Sequence, residues 1–206
     1  MSTADHYFTA DPASADERRI IRAAIAGREV DLETAPGVFS PDHVDLGTQV
    51  LLRHLPPPAE TVLDLGCGWG PLALTAALQR PDARITAVDV NRRALDLLER
   101  NAARLGASAA IEAREPQAVP ADRTFAAIWS NPPIRIGKPA LHALLSTWLP
   151  RLESGGHAHL VVQKNLGADS LTAWIARQRD DAGRSWGDIE KVGSAKGFRV
   201  LRLTRR

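Results

Sequence analysis

The stretch Thr61-Val62-Leu63-Asp64-Leu65-Gly66-Cys67-Gly68-Trp69-Gly70 restricts this chain more than any other part of it. A short apolar run leads into three alternating glycines and then Pro71, a residue favoured at the first helical position because its missing N–H would have no partner there anyway. Strand, glycine turn and helix in that order form the entry to a nucleotide-type pocket. Strand and helix patterns go on alternating downstream, which predicts a parallel sheet with helices on both faces.

Charge decides which ligand the turn suits. A phosphate loop needs G-x-x-x-x-G-K-[ST], and a dinucleotide site offers helix N-terminal N–H groups to a pyrophosphate. Here no Lys, Ser or Thr follows the glycines, and Asp64 stands two residues before the first, where a carboxylate repels phosphate. A ligand with a cationic amino-acid end fits better; S-adenosylmethionine has an ammonium and a sulfonium and no phosphate. Ile85 to Asn91 predicts a second strand ending in Asp89, about 20 residues on, the offset at which a carboxylate accepts from ribose hydroxyls in nucleoside-binding α/β folds. The plainer alternative is that Asp89 and Asn91 only cap a helix starting at Arg92, and that Gly66 to Gly70 is an ordinary turn.

A further strand end carries reaction chemistry. Phe125 to Trp129 is a continuous apolar run, as expected of a central strand buried on both faces, and it delivers Ser130-Asn131-Pro132-Pro133-Ile134 at its carboxyl end. An exocyclic base amine is a poor nucleophile because its lone pair is delocalised, and two acceptors must hold its N–H bonds. The Asn131 amide oxygen and the Pro132 carbonyl offer two such acceptors, although Asn-Pro-Pro is also a common loop tripeptide. Pro132 confines Asn131 to extended geometry, and Pro133 confines Pro132, so both are set before substrate arrives. Arg135, Lys138, Gln163 and Lys164 follow this strand end and the next one. They are candidates for phosphate or base contacts, or plain surface residues.

The rest of the chain is read in order. Residues 1–13, with His6, Tyr7 and Phe8, form an extended arm; Ser14 or Asp16 caps a first helix carrying Ile20, Ile21 and Ala24 and stopped by Gly27. Val30 to Glu33 and Val38-Phe39 make a hairpin around Ala35-Pro36-Gly37, and a helix runs from His43 to His54 before Pro56-Pro57-Pro58. Residues 1–56 are thus an N-terminal extension (arm, helix, hairpin, helix) on a 57–206 ligand-binding domain, the two forming one compact unit. Leu95, Leu98, Ala102 and Leu105 stripe a helix that Gly106 closes. Ala109 to Ala113 is a third strand, followed by Glu115. Helices near 141–152 and 171–177 flank a strand near 159–162, and a last hairpin pairs 188–192 with 198–204. His157 and His159 alternate along a strand and are structural rather than metal ligands.

A chain of 206 residues with 44% hydrophobic composition suits one domain. The single cysteine, Cys67, rules out an internal disulfide, which points to a reducing, cytoplasmic setting, and no apolar run approaches a membrane span. No metal is expected. Lys138, Lys164, Lys191 and Lys196 are the only lysines among 26 basic residues. The tail collects Lys191, Lys196, Arg199, Arg202, Arg205 and Arg206, either an RNA-facing patch or a solvated strand face.

Val62 to Gly70, then Val88-Asp89-Val90-Asn91 and Asn131-Pro132-Pro133, resemble the class I S-adenosylmethionine-dependent methyltransferases. More narrowly, the chain resembles the catalytic domain of small-subunit ribosomal RNA guanine-N2 methyltransferases, over nearly its whole length, through Asp45-Leu46-Gly47-Thr48 to Lys196-Gly197-Phe198-Arg199. The resemblance implies a Rossmann-like fold: a mostly parallel seven-stranded sheet with a C-terminal antiparallel hairpin. It implies Phe39, Gly47 and Thr48 beside the cofactor's amino-acid end, although by chemistry alone Phe39 is core. It adds Cys67, Gly70 and Val90 to Asp64, Gly66, Gly68, Asp89 and Asn131 as cofactor neighbours, and sets Glu115 near the adenine amino group. The resemblance further implies S-adenosylhomocysteine as the product and guanine N2 of small-subunit ribosomal RNA as the acceptor. A protein glutamine amide or DNA adenine offers a similar planar amine, and a non-catalytic cofactor- or RNA-binding module is the other alternative. Relatives place Tyr or Phe where this chain has Ile134, so another aromatic or Arg135 has to supply stacking on the base. A monomer or a homodimer is expected.

Overall fold

The protein, a computed structural model, is described over residues 9–180 and 182–206; His6, Tyr7 and Phe8 lie outside the described residues. The first departure from expectation comes at once. In place of a helix from residue 14, β1 (Arg19–Ile25) pairs antiparallel with β2 (Arg28–Thr34) from Arg19↔Thr34 to Ile25↔Arg28. Ala26 and Gly27 turn the corner with φ of +50° and +77°, the signs of a two-residue type I′ turn. Burial alternates with period two, Ala23, Ile25, Leu32 and Thr34 facing inward, so the apolar spacing of Ile20, Ile21 and Ala24 was not helical. Ser14 caps nothing: it receives Arg93. Val38 and Phe39 form no returning strand, because Val30 to Glu33 is already paired with β1; they lie in a loop where Gly37 crosses Pro12. The helix that follows is shorter than expected, α1 (Leu46–Leu52), begun by the Asp45 carboxylate accepting from Gly47 N and Thr48 N.

The main body alternates as expected: β3 (Thr61–Leu65), α2 (Pro71–Gln79), β4 (Arg84–Val88), α3 (Arg92–Arg104), β5 (Ile111–Arg114), β6 (Phe125–Ser130), α4 (Lys138–Trp148), β7 (Leu152–Gln163), α5 (Ala168–Ala176), then β8 (Asp188–Ala195) and β9 (Phe198–Thr204). The sheet order is β5-β4-β3-β6-β7-β9-β8, with β9 the antiparallel member between β7 and β8. β4 and β6 pair on either side of β3, so the chain changes direction across the sheet there, and ligands of open α/β sheets sit outside the carboxyl ends at such a point.

Alternation along each strand feeds two cores. Val62, Ile85, Ala87, Trp129, Val161 and Val200 face α1, α2, α3 and the β1–β2 hairpin. Leu63, Leu65, Ile128, Leu160, Val162, Leu201 and Leu203 face α4 and α5. Burying one such side chain contributes about 1.5–3 kcal/mol. The β1–β2 hairpin belongs to the first core through Ala23, Ile25 and Leu32, and Asn101 of α3 ties it down, accepting from Glu33 N and donating to Glu33 O and Trp69 O.

The hairpin turn yields a test. Ala26 holds a left-handed backbone that costs a β-carbon-bearing residue about 1–2 kcal/mol and that Asn tolerates. Ala26→Asn is therefore expected to stabilise the protein by about 0.5–1 kcal/mol, read as a higher urea midpoint at unchanged slope. A helix over these residues would gain nothing from the change.

Candidate functional site

The glycine turn after β3 is held by the end of β4. Gly66 N and Cys67 N both donate to Val88 O, at 2.8 and 3.0 Å, and Gly68 N donates to Asp89 Oδ2 at 2.9 Å. Gly66 and Gly68 have φ of +75° and +54°, and a β-carbon on either would meet no protein atom. Both line a cavity of about 360 Å³ shared with Phe39, Asp45, Asp89, Asn91, Asn131, Pro132, Pro133, Ile134, Arg135, Gln163 and Phe198. An adjoining pocket of about 30 Å³ adds Thr48 and Cys67. Gly70 is different: a β-carbon there would fall 2.2 Å from Leu98 Cδ1, so this third glycine lets α2 and α3 approach and lines neither cavity.

The acids divide. Asp89 reaches the cavity, and its oxygens accept from Gly68 N and Asn91 N, leaving lone pairs for a ligand hydroxyl; burial raises its pKa. Asn91 also caps α3 through Ala94 N, so helix capping and a ligand-facing acid coexist at this strand end. Asp64 does not line the cavity. It is fully buried on the α2 face of β3, where Oδ2 accepts from Ala73 N at 2.9 Å and Oδ1 has no partner. Burial foremost, offset in part by that bond and reinforced by the Asp89 charge, pushes its pKa up to about 7. Its direct role is to hold the first turn of α2 under the glycines. Burial and the two nearby acids also raise the Cys67 thiol, so it stays protonated.

Besides Asp64 and Gly70, two further expected cofactor neighbours stand off the cavity. Glu115 is engaged by Arg92 Nε at 3.1 Å and Gln117 Nε2 at 2.8 Å. Val90 is exposed. Lys138 and Lys164 are exposed and form no part of the cavity wall. His159 is buried and neutral, its pKa lowered to about 4 by burial and by the charges of His157 and Arg202. His157 Nδ1 contacts Thr204 Oγ1, and among the described residues no cluster of metal-ligating side chains occurs.

The end of the cavity beyond the glycine turn is built around Asn131. Its Nδ2 lies 2.8 Å from Asp45 Oδ2 and 3.1 Å from Thr48 Oγ1. A carboxylate only accepts, so the NH₂ must face Asp45, and the amide oxygen is turned the other way. Asp45 was legible as part of a motif, but its grip on Asn131, across 86 residues, was not. The second acceptor is partly engaged. Pro133 has φ −73° and ψ 77°, an inverse γ-turn, and the Pro132 carbonyl accepts from Ile134 N at 2.8 Å, leaving one lone pair.

The model of the methyltransferase small domain family matches residues 29–202. The chain is 29% identical over 202 residues to uncharacterized protein YbxB of Bacillus subtilis, spanning 96% of this chain and 97% of that one. It is 34% identical to ribosomal RNA small subunit methyltransferase C of Aeromonas hydrophila, over 65% of this chain and 40% of that one. The Stutzerimonas stutzeri protein of that name is 30% identical, over 88% and 53%. The chain thus spans about half the length of these ribosomal RNA methyltransferases or less. Among solved structures, the T. thermophilus 16S rRNA N2 G1207 methyltransferase in complex with AdoMet and guanosine superposes with a TM-score of 0.74 at 25% identity, over 95% of this chain and 52% of that one.

Asp64 makes stability depend on pH. Its carboxyl ionises near 3.8 when solvated and near 7 in the folded protein, so between these values the folded state holds a proton that the unfolded state has released. Stability accordingly falls as pH rises through that window and levels off above it, by on the order of 4 kcal/mol from this group. Asp64→Asn removes the dependence. In urea titrations at pH 4 and pH 8 the stability difference between the two proteins is expected to move toward the variant by about that amount.

Proposed function

We propose, from the premise that this chain belongs to the methyltransferase small domain family and is an S-adenosylmethionine-dependent methyltransferase, that it methylates an exocyclic amino group of ribosomal RNA, guanine N2 of the small subunit. The observation that carries this reading is the orientation of Asn131, whose NH₂ is committed to Asp45 and Thr48 while its oxygen is free to accept. The residues present suit the cofactor: side-chain-free Gly66 and Gly68 form a wall that a β-carbon would intrude on, and Asp89 keeps acceptor capacity for ribose hydroxyls. When bound, S-adenosylmethionine supplies an electrophilic methyl group on a sulfonium.

The chain's own part is positioning. Asn131 Oδ1 accepts one N–H of the amine and the remaining Pro132 lone pair the other, which turns the nitrogen lone pair out of conjugation and toward the methyl donor. No strong base is needed, because the nitrogen sheds its proton once alkylated. Pro132 is buried and Pro133 is fixed in its γ-turn, so little reorganisation accompanies substrate binding. The basic side chains on the segments after β6 and β7 suit an anionic polymer: among the described residues no acid pairs with Arg135, Lys138, Lys164 or Lys196, whereas Arg199, Arg202, Arg205 and Arg206 of the tail are engaged by Asp169, Glu190, Asp180 and Asp188. The relatives named for ribosomal RNA methylation, and the solved neighbour named for guanine N2, favour RNA over a protein amide.

Labelled methyl transfer to unmodified small-subunit ribosomal RNA, followed by nucleoside digestion, is expected to give N2-methylguanosine; label in N6-methyladenosine, or in protein alone, would overturn the assignment. Asn131→Ala should lower turnover roughly 100- to 1,000-fold with cofactor affinity close to wild type. Asp45→Ala leaves the Asn131 amide held only by Thr48 Oγ1, at the cost of an N-cap worth about 1 kcal/mol. It should lower kcat more than it raises KM for the cofactor, whereas a role limited to capping α1 would leave kcat intact in the folded variant.

A further inference from the structure

Phe198 opens β9 at the tip of the C-terminal hairpin, half-buried, and its ring lines the main cavity together with Asn131, Ile134 and Gln163. The hairpin turns through Lys196 and Gly197, both with positive φ (49° and 82°), and Lys164 N donates to Gly197 O at 2.8 Å, which fastens the tip to the end of β7. In cross-strand register Phe198 stands opposite Gln163, the last residue of β7.

Its place along the sheet assigns it to one half of the cavity. The glycine turn follows β3, Asn131 follows β6, Gln163 ends β7 and Phe198 begins β9, and these strands are successive neighbours about 4.8 Å apart. Phe198 therefore lies on the side of Asn131 away from the glycine turn, where an acceptor rather than the cofactor would approach. Its closeness to Asn131 depends on Gly47. A β-carbon built there would fall 2.9 Å from Phe198 Cε1, 2.9 Å from Asp45 Oδ2 and 3.3 Å from Asn131 Nδ2, so the three groups converge only because residue 47 has no side chain. Ile134 reaches the same cavity from the other core: it packs with the α4 and α5 face, Phe198 with the face of α1 and the β1–β2 hairpin. A flat ring whose amine is held by Asn131 would have an aromatic side chain on one side and an aliphatic one on the other.

We propose that Phe198 is the stacking wall of the acceptor subsite, the specificity-determining aromatic that takes the purine ring presenting its exocyclic amine to Asn131. This rests on the acceptor assigned above. It accounts for Ile134, since one aromatic face suffices when it comes from β9, and a ring stacked there presents its edge to Gln163, whose amide both donates and accepts.

The test compares wild type with Phe198→Leu, which keeps apolar packing, and Phe198→Tyr, which keeps the ring. Three quantities are measured: methyl transfer to unmodified small-subunit ribosomal RNA, affinity for that RNA in the presence of S-adenosylhomocysteine, and calorimetric affinity for S-adenosylhomocysteine alone. The leucine variant is expected to lose roughly 10- to 100-fold in kcat/KM and to bind RNA more weakly, with S-adenosylhomocysteine affinity and thermal midpoint near wild type and the tyrosine variant well above it in activity. If the leucine variant transfers methyl groups as wild type does, or loses S-adenosylhomocysteine affinity in proportion to activity, Phe198 is not the acceptor wall. If wild type itself labels no nucleic acid while still binding S-adenosylhomocysteine, the acceptor assignment falls and the stacking wall with it.

Discussion

Two amides of the glycine turn, Gly66 N and Cys67 N, donate to one carbonyl, Val88 O, and a third, Gly68 N, donates to the carboxylate of the next residue, Asp89. This fastening of the turn after β3 to the end of β4 is what makes the rest of the site possible. With the turn fixed, Gly70 brings α2 against Leu98 of α3, Asn91 starts α3, and Asp89 is held in the cavity wall by amides rather than by a cation. The arrangement has a cost beneath it. Asp64, on the α2 face of β3, sits in the interior with one oxygen on Ala73 N and the other without a partner. Burying a carboxylate that way disfavours its charge, and so the group holds a proton up to about pH 7.

A second fastening joins the N-terminal part of the chain to the Asn131 end of the cavity. One oxygen, Asp45 Oδ2, accepts from Gly47 N, Thr48 N and Asn131 Nδ2. The first two bonds begin α1, and the third determines which way the Asn131 amide faces. An amide free to flip would spend part of its time offering NH₂ to an amine that already has N–H bonds to donate. Asp45 removes that state, and Thr48 Oγ1 takes the second N–H contact. Helix capping and amide orientation are thus one event, and the first fifty residues cannot be treated as packing added to a finished domain.

What was readable in the chain divides along the range of the interactions. β3, α2, β6 and the last hairpin announce themselves through local signals: apolar runs, Pro71 after Gly70, and Asn131-Pro132-Pro133 at a strand end. The β1–β2 hairpin did not, because Ala26-Gly27 lacks the Asn-Gly signature of a type I′ turn and Ile20, Ile21 and Ala24 mimic a helical spacing. Asp64 was identified as important, yet its burial follows from which face of β3 it occupies, a matter of register. Glu115 looked like a ligand-facing acid at a strand end, and only the packing of α3 against β5 shows Arg92 within reach of it. The Asn131–Asp45 bond and the nearness of Phe198 to Gly47 join residues far apart in sequence, and no local pattern encodes them.

The distribution of charge follows from the same geometry. The chain carries 26 Lys and Arg against 24 Asp and Glu, so composition alone predicts little attraction for an anion. Most of the arginines named in ion pairs are spent locally, and those of β9 and the C-terminus answer acids on α5, β8 and the loop before it. This pairing also places charged side chains on β8, the exposed edge of the sheet, where bare backbone would otherwise invite another strand. Of the cations that no acid pairs among the described residues, Arg135, Lys138, Lys164 and Lys196 stand on the segments that follow β6 and β7 and on the hairpin tip beside them, while Arg28, Arg53, Arg177 and Lys191 lie on other elements. A nearly neutral protein therefore presents four of its unpaired cations on neighbouring segments beside the carboxyl ends of β6 and β7. With the β8 edge neutralised by its own ion pairs, this group of cations is the one that a polyanion docking at the cavity would meet.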